Sequence, residues 1–76
     1  MIIKILGTGC SKCKQLEKAV IKAIENLGVD ANIEKITSIN DIMDYGVMMT
    51  PALVIDDKVV SSGKVLSIDE IQEYLV

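Results

Sequence analysis

Cys10 and Cys13 are the residues of this 76-residue chain with the clearest chemical potential. They are separated by Ser11 and Lys12, and a three-residue offset brings two thiols together without unfolding a helix. A disulfide between them closes a very short loop, which removes little entropy from the unfolded chain. Such a disulfide would stabilise the fold only a little, so a purely structural role is poorly supported. We therefore predict a reactive pair.

The residues around Cys10 predict how its thiol would be activated. An isoleucine-rich strand, Ile2–Leu6, leads through a glycine turn, and a helical apolar pattern begins at Cys13. A helix N-terminus offers unpaired amides and a partial positive charge, and Lys12 adds a cation. We therefore expect the pKa of the Cys10 thiol to lie below that of an ordinary cysteine.

The two thiols are expected to differ in exposure and in role. Cys10 borders Gly9 and should be exposed, whereas Cys13 begins the apolar stripe and should be buried. In thiol–disulfide exchange the exposed thiolate attacks a substrate disulfide and forms a mixed disulfide. Cys13 then attacks Cys10 Sγ and releases the reduced substrate.

Three other interpretations of the cysteine pair stay open at this point. Both cysteines could be ordinary buried apolar residues, or a redox sensor could use the same chemistry without turnover. A four-ligand zinc site is not available within one chain because there is no third cysteine and no histidine, but a two-coordinate soft-metal site is possible. Soft-metal carrier domains also place such a pair between the first strand and the first helix. Their elements run β-α-β-β-α-β, however, whereas this sequence predicts a helix between the second and third strands.

The predicted element order is β-α-β-α-β-β-α within one domain, residues 1–76. A capping box, Ser67 with Glu70, predicts the start of the last helix. Strands are predicted at Ile2–Leu6, Val29–Ile36, Ala52–Ile55 and Lys58–Ser61, with a turn at Asp56-Asp57. The first helix should end at Leu27 with Gly28 as its C′ residue. The second should run from Ser38 to Gly46 with Ile39, Ile42 and Met43 facing inward.

Composition excludes several functional classes. The net charge is −3, there is no histidine, and aromatic residues make up 3% of the chain, which argues against nucleic-acid binding. No run of eighteen apolar residues predicts a membrane span, and the N-terminus lacks the basic segment of a signal peptide. We expect a monomer in a reducing cytoplasm, with no metal and no cofactor of its own.

A Cys-x-x-Cys after the first strand and Thr50-Pro51 before the third give the chain a resemblance to the thioredoxin superfamily. It looks most like the short, glutaredoxin-sized redox-active disulfide proteins of prokaryotes, and the resemblance covers essentially the whole chain. The implied fold is a thioredoxin-like α/β fold with a four-stranded mixed sheet in the order 2-1-3-4. The first and third helices would cover one face and the second helix the other.

The resemblance also implies site residues and partners. The Thr50–Pro51 bond should be cis and lie against the dithiol, and Thr50 should pair its backbone with a bound peptide. The remaining substrate-binding candidates are Met49, Gly9, Ser11 and Lys12. Reduction of protein disulfides is the implied activity, with electrons from a partner reductase such as a flavin thioredoxin reductase.

Some family features are missing. The buried acid that assists the resolving thiol of thioredoxins has no clear match. Ser61-Ser62 stands in place of the glutaredoxin glycine pair, which argues against glutathione as the natural partner. Met48 and Met49 could lie on the rim of the site or fill the core, and we expect at least one of them to fill the core. The charged residues of the first helix are expected to form a solvated face, and these are Glu17, Lys18, Lys22 and Glu25.

Overall fold

The computed structural model describes residues 1–9 and 11–75. Its elements follow the predicted order of strands and helices. They are β1 (Ile2–Leu6), α1 (Ser11–Leu27), β2 (Asn32–Ile36), α2 (Ile39–Asp44), β3 (Ala52–Ile55), β4 (Lys58–Ser62) and α3 (Ile68–Leu75).

The four strands form one mixed sheet in the order β2-β1-β3-β4, as predicted. β1 pairs in parallel with β2, and α1 makes the crossover between them, as parallel neighbours require. β1–β3 and β3–β4 are antiparallel, and the β3–β4 ladder shifts register between Leu53 and Val54. The chain therefore has the α/β architecture of a minimal thioredoxin fold.

Alternating strand residues divide the core between the two faces of the sheet. Ile3 and Ile5 point to the face covered by α1 and α3, whereas Leu6 points to the face covered by α2. The first face also buries Leu16, Val20, Ala23, Leu53, Ile55, Leu66, Ile71 and Leu75. The second also buries Ile42, Val47, Ala52 and Val54. The predicted distribution of the helices is confirmed.

The ends of several elements follow local hydrogen bonding. Gly28 has a φ of 65° and ends α1, as predicted, with its amide donating to the Ile24 carbonyl at 2.9 Å. The Val29 amide also donates to Ile24, at 3.3 Å, so Val29 belongs to the helix cap. The prediction that β2 begins at Val29 is therefore wrong, because the strand starts at Asn32.

The predicted cap and turn chemistry is confirmed. The Ser67 amide donates to Glu70 Oε1 at 3.1 Å, and the Glu70 amide donates to Ser67 Oγ at 3.2 Å. The two turn residues Asp56 and Asp57 have φ values of 48° and 68°, the left-handed pair that a tight hairpin requires. Strand β4 runs one residue beyond its predicted end, to Ser62.

The predicted packing of α2 is partly wrong. Ile42 is buried, but Ile39 and Met43 are 63% and 65% exposed. The helix has six residues, fewer than two turns, and one of its apolar side chains, Ile42, reaches the core. Met48 and Met49 are exposed as well, so the expectation that at least one of them fills the core is wrong.

Candidate active site

The segment between β1 and α1 holds the predicted nucleophile. The Gly7 amide donates to the Ile36 carbonyl at 2.9 Å, which ties the end of β1 to the end of β2. Thr8 and Gly9 are exposed, and α1 begins at Ser11. Cys10 lies outside the described residues, so its exposure and its role stay predictions.

Cys13 is buried in the first turn of α1, with 6% of its surface exposed. It packs directly against Gly7, because a Cβ built on that glycine would overlap Cys13 Sγ. Glycine at position 7 is therefore required by close approach. The sequence predicted the burial of Cys13 but offered no signal for this contact.

A small pocket of about 90 Å³ opens beside Cys13. It is lined by Ile5, Gly7, Gly9, Cys13, Lys14, Glu17, Lys35 and Thr37. Glu17 Oε2 of α1 and Lys35 Nζ of β2 form an ion pair at 2.7 Å. The Glu17 side chain is 23% exposed. The prediction that Glu17 belongs to a solvated face is wrong, because α1 turns this residue toward the sheet one turn beyond Cys13.

The loop before β3 contains the second part of the site. The Thr50–Pro51 peptide bond is cis, as the resemblance implied, and Pro51 is buried while Thr50 is exposed. The Gly63 amide donates to the Pro51 carbonyl at 2.9 Å, and a Cβ on Gly63 would lie 3.0 Å from Met49 Cβ. Met49 thus packs over the end of β4 beside the proline.

An apolar groove of about 380 Å³ joins the two parts of the site. Thr8 approaches it from the β1–α1 segment, and Thr50 from the loop before β3. Its other lining residues are Ile39, Ile42, Met43, Val47 and Met48. The exposed side chains of α2 therefore form one wall of this groove, which sequence reasoning missed by assigning Ile39 and Met43 to the core.

The other predicted site residues are less closely gathered. Gly9 lines the pocket of Cys13, whereas Met49 lies over Gly63. Ser11 and Lys12 are exposed in the first turn of α1 and line neither the pocket nor the groove.

A polar contact links the end of α2, the helix that forms one wall of the groove, to the sheet. Lys4 Nζ donates to the Tyr45 hydroxyl at 2.7 Å and lies 5.4 Å from the centre of its ring. This hydrogen bond is the main reason that the pKa of Lys4 is raised above 10.5, with Asp57 and Glu34 adding attraction. Tyr45 follows α2, so the contact fixes the end of that helix to β1.

Two negative findings apply to residues 1–9 and 11–75. Among them, no three histidine, cysteine, aspartate or glutamate residues lie close enough to hold a metal ion together. Within the same residues, no helix has the length and apolarity needed to cross a bilayer.

Comparison with known proteins gives this site its context. Residues 1–76 match the family model described as the thioredoxin domain. The chain belongs to the thioredoxin family. A thioredoxin from Methanocaldococcus jannaschii is 47% identical over 75 residues, covering 99% of this chain and 86% of that protein. A thioredoxin from Methanothermobacter thermautotrophicus is 40% identical over 75 residues, covering 99% and 97% of the two chains. As a member of this family, the chain is a thiol–disulfide oxidoreductase in general terms.

Proposed function

We propose that this thioredoxin-family protein reduces protein disulfides through a dithiol formed by Cys10 and Cys13. The observation that carries the proposal is the position of Cys13, buried against Gly7 in the first turn of α1, three residues after Cys10. The cis Thr50–Pro51 bond and the apolar groove supply a surface for a substrate at the same end of the sheet.

The proposed reaction has two exchange steps. The Cys10 thiolate attacks one sulfur of the substrate disulfide, and the electron pair of that bond leaves on the second substrate sulfur, which is protonated. The Cys13 thiol then loses its proton and attacks Cys10 Sγ. A Cys10–Cys13 bond forms, the bond between Cys10 and the first substrate sulfur breaks, and that first sulfur leaves as a thiolate.

The surroundings of the first turn of α1 support Cys10 as the attacking thiol. Among the described residues of that turn there is no acidic side chain. Lys12 and Lys14 are exposed there. The turn opens a helix of 17 residues, whose N-terminal amides and dipole favour a nearby anion. These features favour the thiolate form of a cysteine at position 10.

Substrate binding would use the groove and its rim. Thr50 would pair its backbone with an extended segment of the substrate, with Pro51 beside the sulfurs. Apolar side chains next to the substrate cysteine would enter the groove, where Met43 and Met48 offer adaptable thioethers. Met49, Gly9, Ser11 and Lys12 would contact the substrate at the rim.

The oxidised protein must receive electrons from a partner. We propose a reductase such as a flavin thioredoxin reductase, because the chain carries no cofactor motif of its own. Glutathione is a poor candidate because Ser61-Ser62 replaces the glycine pair that glutaredoxins use. We further propose that the chain is a monomer and acts in a reducing cytoplasm, where paired thiols turn over.

The first test is the reduction potential of the cysteine pair, measured by equilibration with a graded dithiol series and alkylation of the remaining thiols. One two-electron transition near about −270 mV, the value typical of thioredoxin, would support a disulfide reductant. Cys10→Ser and Cys13→Ser should each abolish the transition. A potential above about −150 mV would indicate an oxidant or a sensor. Failure to form an intramolecular disulfide would overturn the proposal and favour a soft-metal carrier.

A further inference from the structure

The second exchange step requires a proton acceptor. The thiolate, not the thiol, is the nucleophile, and Cys13 is 6% exposed. Burial disfavours the charged form of a thiol, so Cys13 depends on a neighbouring group that can take its proton.

Glu17 is placed to receive this proton. It lies four residues after Cys13 on α1, which puts both side chains on the same side of the helix, and both line the pocket of about 90 Å³. Its side chain is 23% exposed, in contrast to a carboxylate fully surrounded by water. The other charged groups that line this pocket are Lys14 of α1 and Lys35 of β2.

Lys35 holds the carboxylate at the pocket. Its Nζ atom lies 2.7 Å from Glu17 Oε2, so the ion pair links β2 to α1 beside Cys13. The Lys35 side chain is 64% exposed, which leaves the pair open to solvent on its outer side. A proton taken up by Glu17 therefore has a route to water.

We propose that Glu17 accepts the Cys13 thiol proton during the second exchange step and that Lys35 is the positioning residue for its carboxylate. The Cys13 S–H electron pair forms the bond to Cys10 Sγ, and the substrate leaves with the pair of the broken bond. Glu17 becomes a carboxylic acid and then returns the proton to solvent. This inference rests on the proposed dithiol function.

The two steps can be measured separately with the aryl disulfide 5,5′-dithiobis(2-nitrobenzoate). Attack by Cys10 releases one coloured thiolate, and attack by Cys13 on the mixed disulfide releases the second. Glu17→Gln should slow the second release by at least about tenfold near neutral pH and leave the first unchanged. The difference should shrink as the pH rises well above the ordinary thiol pKa of about 8.5, because hydroxide can then take the Cys13 proton without help from Glu17.

Matched variants separate proton transfer from a structural effect. Glu25→Gln, an exposed position on the same helix, should leave both releases unchanged. Lys35→Met should slow the second release, and Lys35→Arg should restore it because arginine keeps the ion pair. Circular dichroism would verify that each variant is folded.

The outcomes also distinguish this inference from the proposed function. An unchanged second release in Glu17→Gln, or a defect equal at all pH values, would overturn the role of Glu17 while the dithiol reaction stands. A wild-type protein that releases one thiolate and never the second would overturn the dithiol function itself.

Discussion

The two faces of the sheet differ in how completely they bury their apolar residues. On the face covered by α1 and α3, large side chains such as Leu16, Leu53 and Ile71 are fully buried in one cluster between the helices and the sheet. Beneath α2 the cluster is smaller, and Met43 and the 98% exposed Met48 remain at the surface.

This difference indicates a division of work between the faces. Apolar burial is the main source of stability, so the face covered by α1 and α3 holds the fold together. The α2 face has a helix too short to cover its own apolar side chains, and the groove that results is available to a partner. The faces meet where β1 passes from Ile5 to Leu6 and then to Gly7, beside Cys13.

The largest effect is expected from Leu16→Ala, in the larger cluster. Removing this fully buried side chain should cost about 2–5 kcal/mol, because the surrounding residues collapse incompletely onto the cavity. A domain of this size has about 3–5 kcal/mol in total, so the variant should be largely unfolded. Urea unfolding followed by circular dichroism measures this. Leu27→Ala, at the exposed end of the same helix, is the control, and an equal loss there would contradict the comparison.

Gly7→Ala should have the next largest effect, where the two faces meet. The new methyl group would overlap Cys13 Sγ, so the free energy of unfolding should fall by about 1–3 kcal/mol. Displacement of Cys13 should also slow the second thiolate release. Thr8→Ala changes an exposed neighbour and should alter neither quantity. A Gly7→Ala protein with wild-type stability would show that the contact is not tight.

Met43→Ser probes the open face. Loss of an apolar groove wall should raise the KM for a protein disulfide substrate about three- to tenfold, equivalent to about 1 kcal/mol of contact. Stability should change by less than about 0.5 kcal/mol because the side chain is exposed. The rate with the small aryl disulfide should stay the same. Asn40→Ala, exposed on α2 outside the groove, is the control, and a stability loss in Met43→Ser would break the comparison.

The smallest effect is expected from the cap of α3, on the closed face. Hydrogen bonds from the Ser67 amide and hydroxyl hold the pKa of Glu70 below its ordinary value of 4.5. Because the folded pKa is lowered, the stabilisation is present above the ordinary value and is lost as pH falls through the folded one. The urea midpoint of the wild type should therefore drop slightly more on acidification than that of Glu70→Gln. Glu73→Gln keeps the cap and should behave like the wild type, and equal slopes in all three would contradict this assignment.

Local signals were enough to predict much of the fold. The isoleucine-rich segment Ile2–Leu6, the Ser67–Glu70 capping box and Gly28 depend on residues close together in the sequence, and each is observed as predicted. Predictions that depended on packing were less accurate. Ile39 and Met43 have core-like residue types, but the length of α2 and its position over the sheet left them exposed.

The same distinction applies to the site. The spacing of Cys10 and Cys13 and the Thr50-Pro51 pair are visible in the chain and carried the family resemblance that the comparisons confirm. Glu17 was assigned to a solvated face, although its four-residue distance from Cys13 was a usable signal. Its ion pair with Lys35 could not be foreseen, because it depends on how β2 lies against α1.

The sequence by itself determined the element order, the caps and turns, and the two cysteines, because these follow from propensities and hydrogen bonds between near neighbours. The tertiary structure alone decided that Cys13 Sγ packs against Gly7, where no Cβ would fit, and that Thr8 and Thr50 line the same groove. It also decided that Glu17 and Lys35 meet beside the buried thiol. These contacts join residues on different elements, and their distances are set by packing of the helices on the sheet, to which local sequence is only loosely tied.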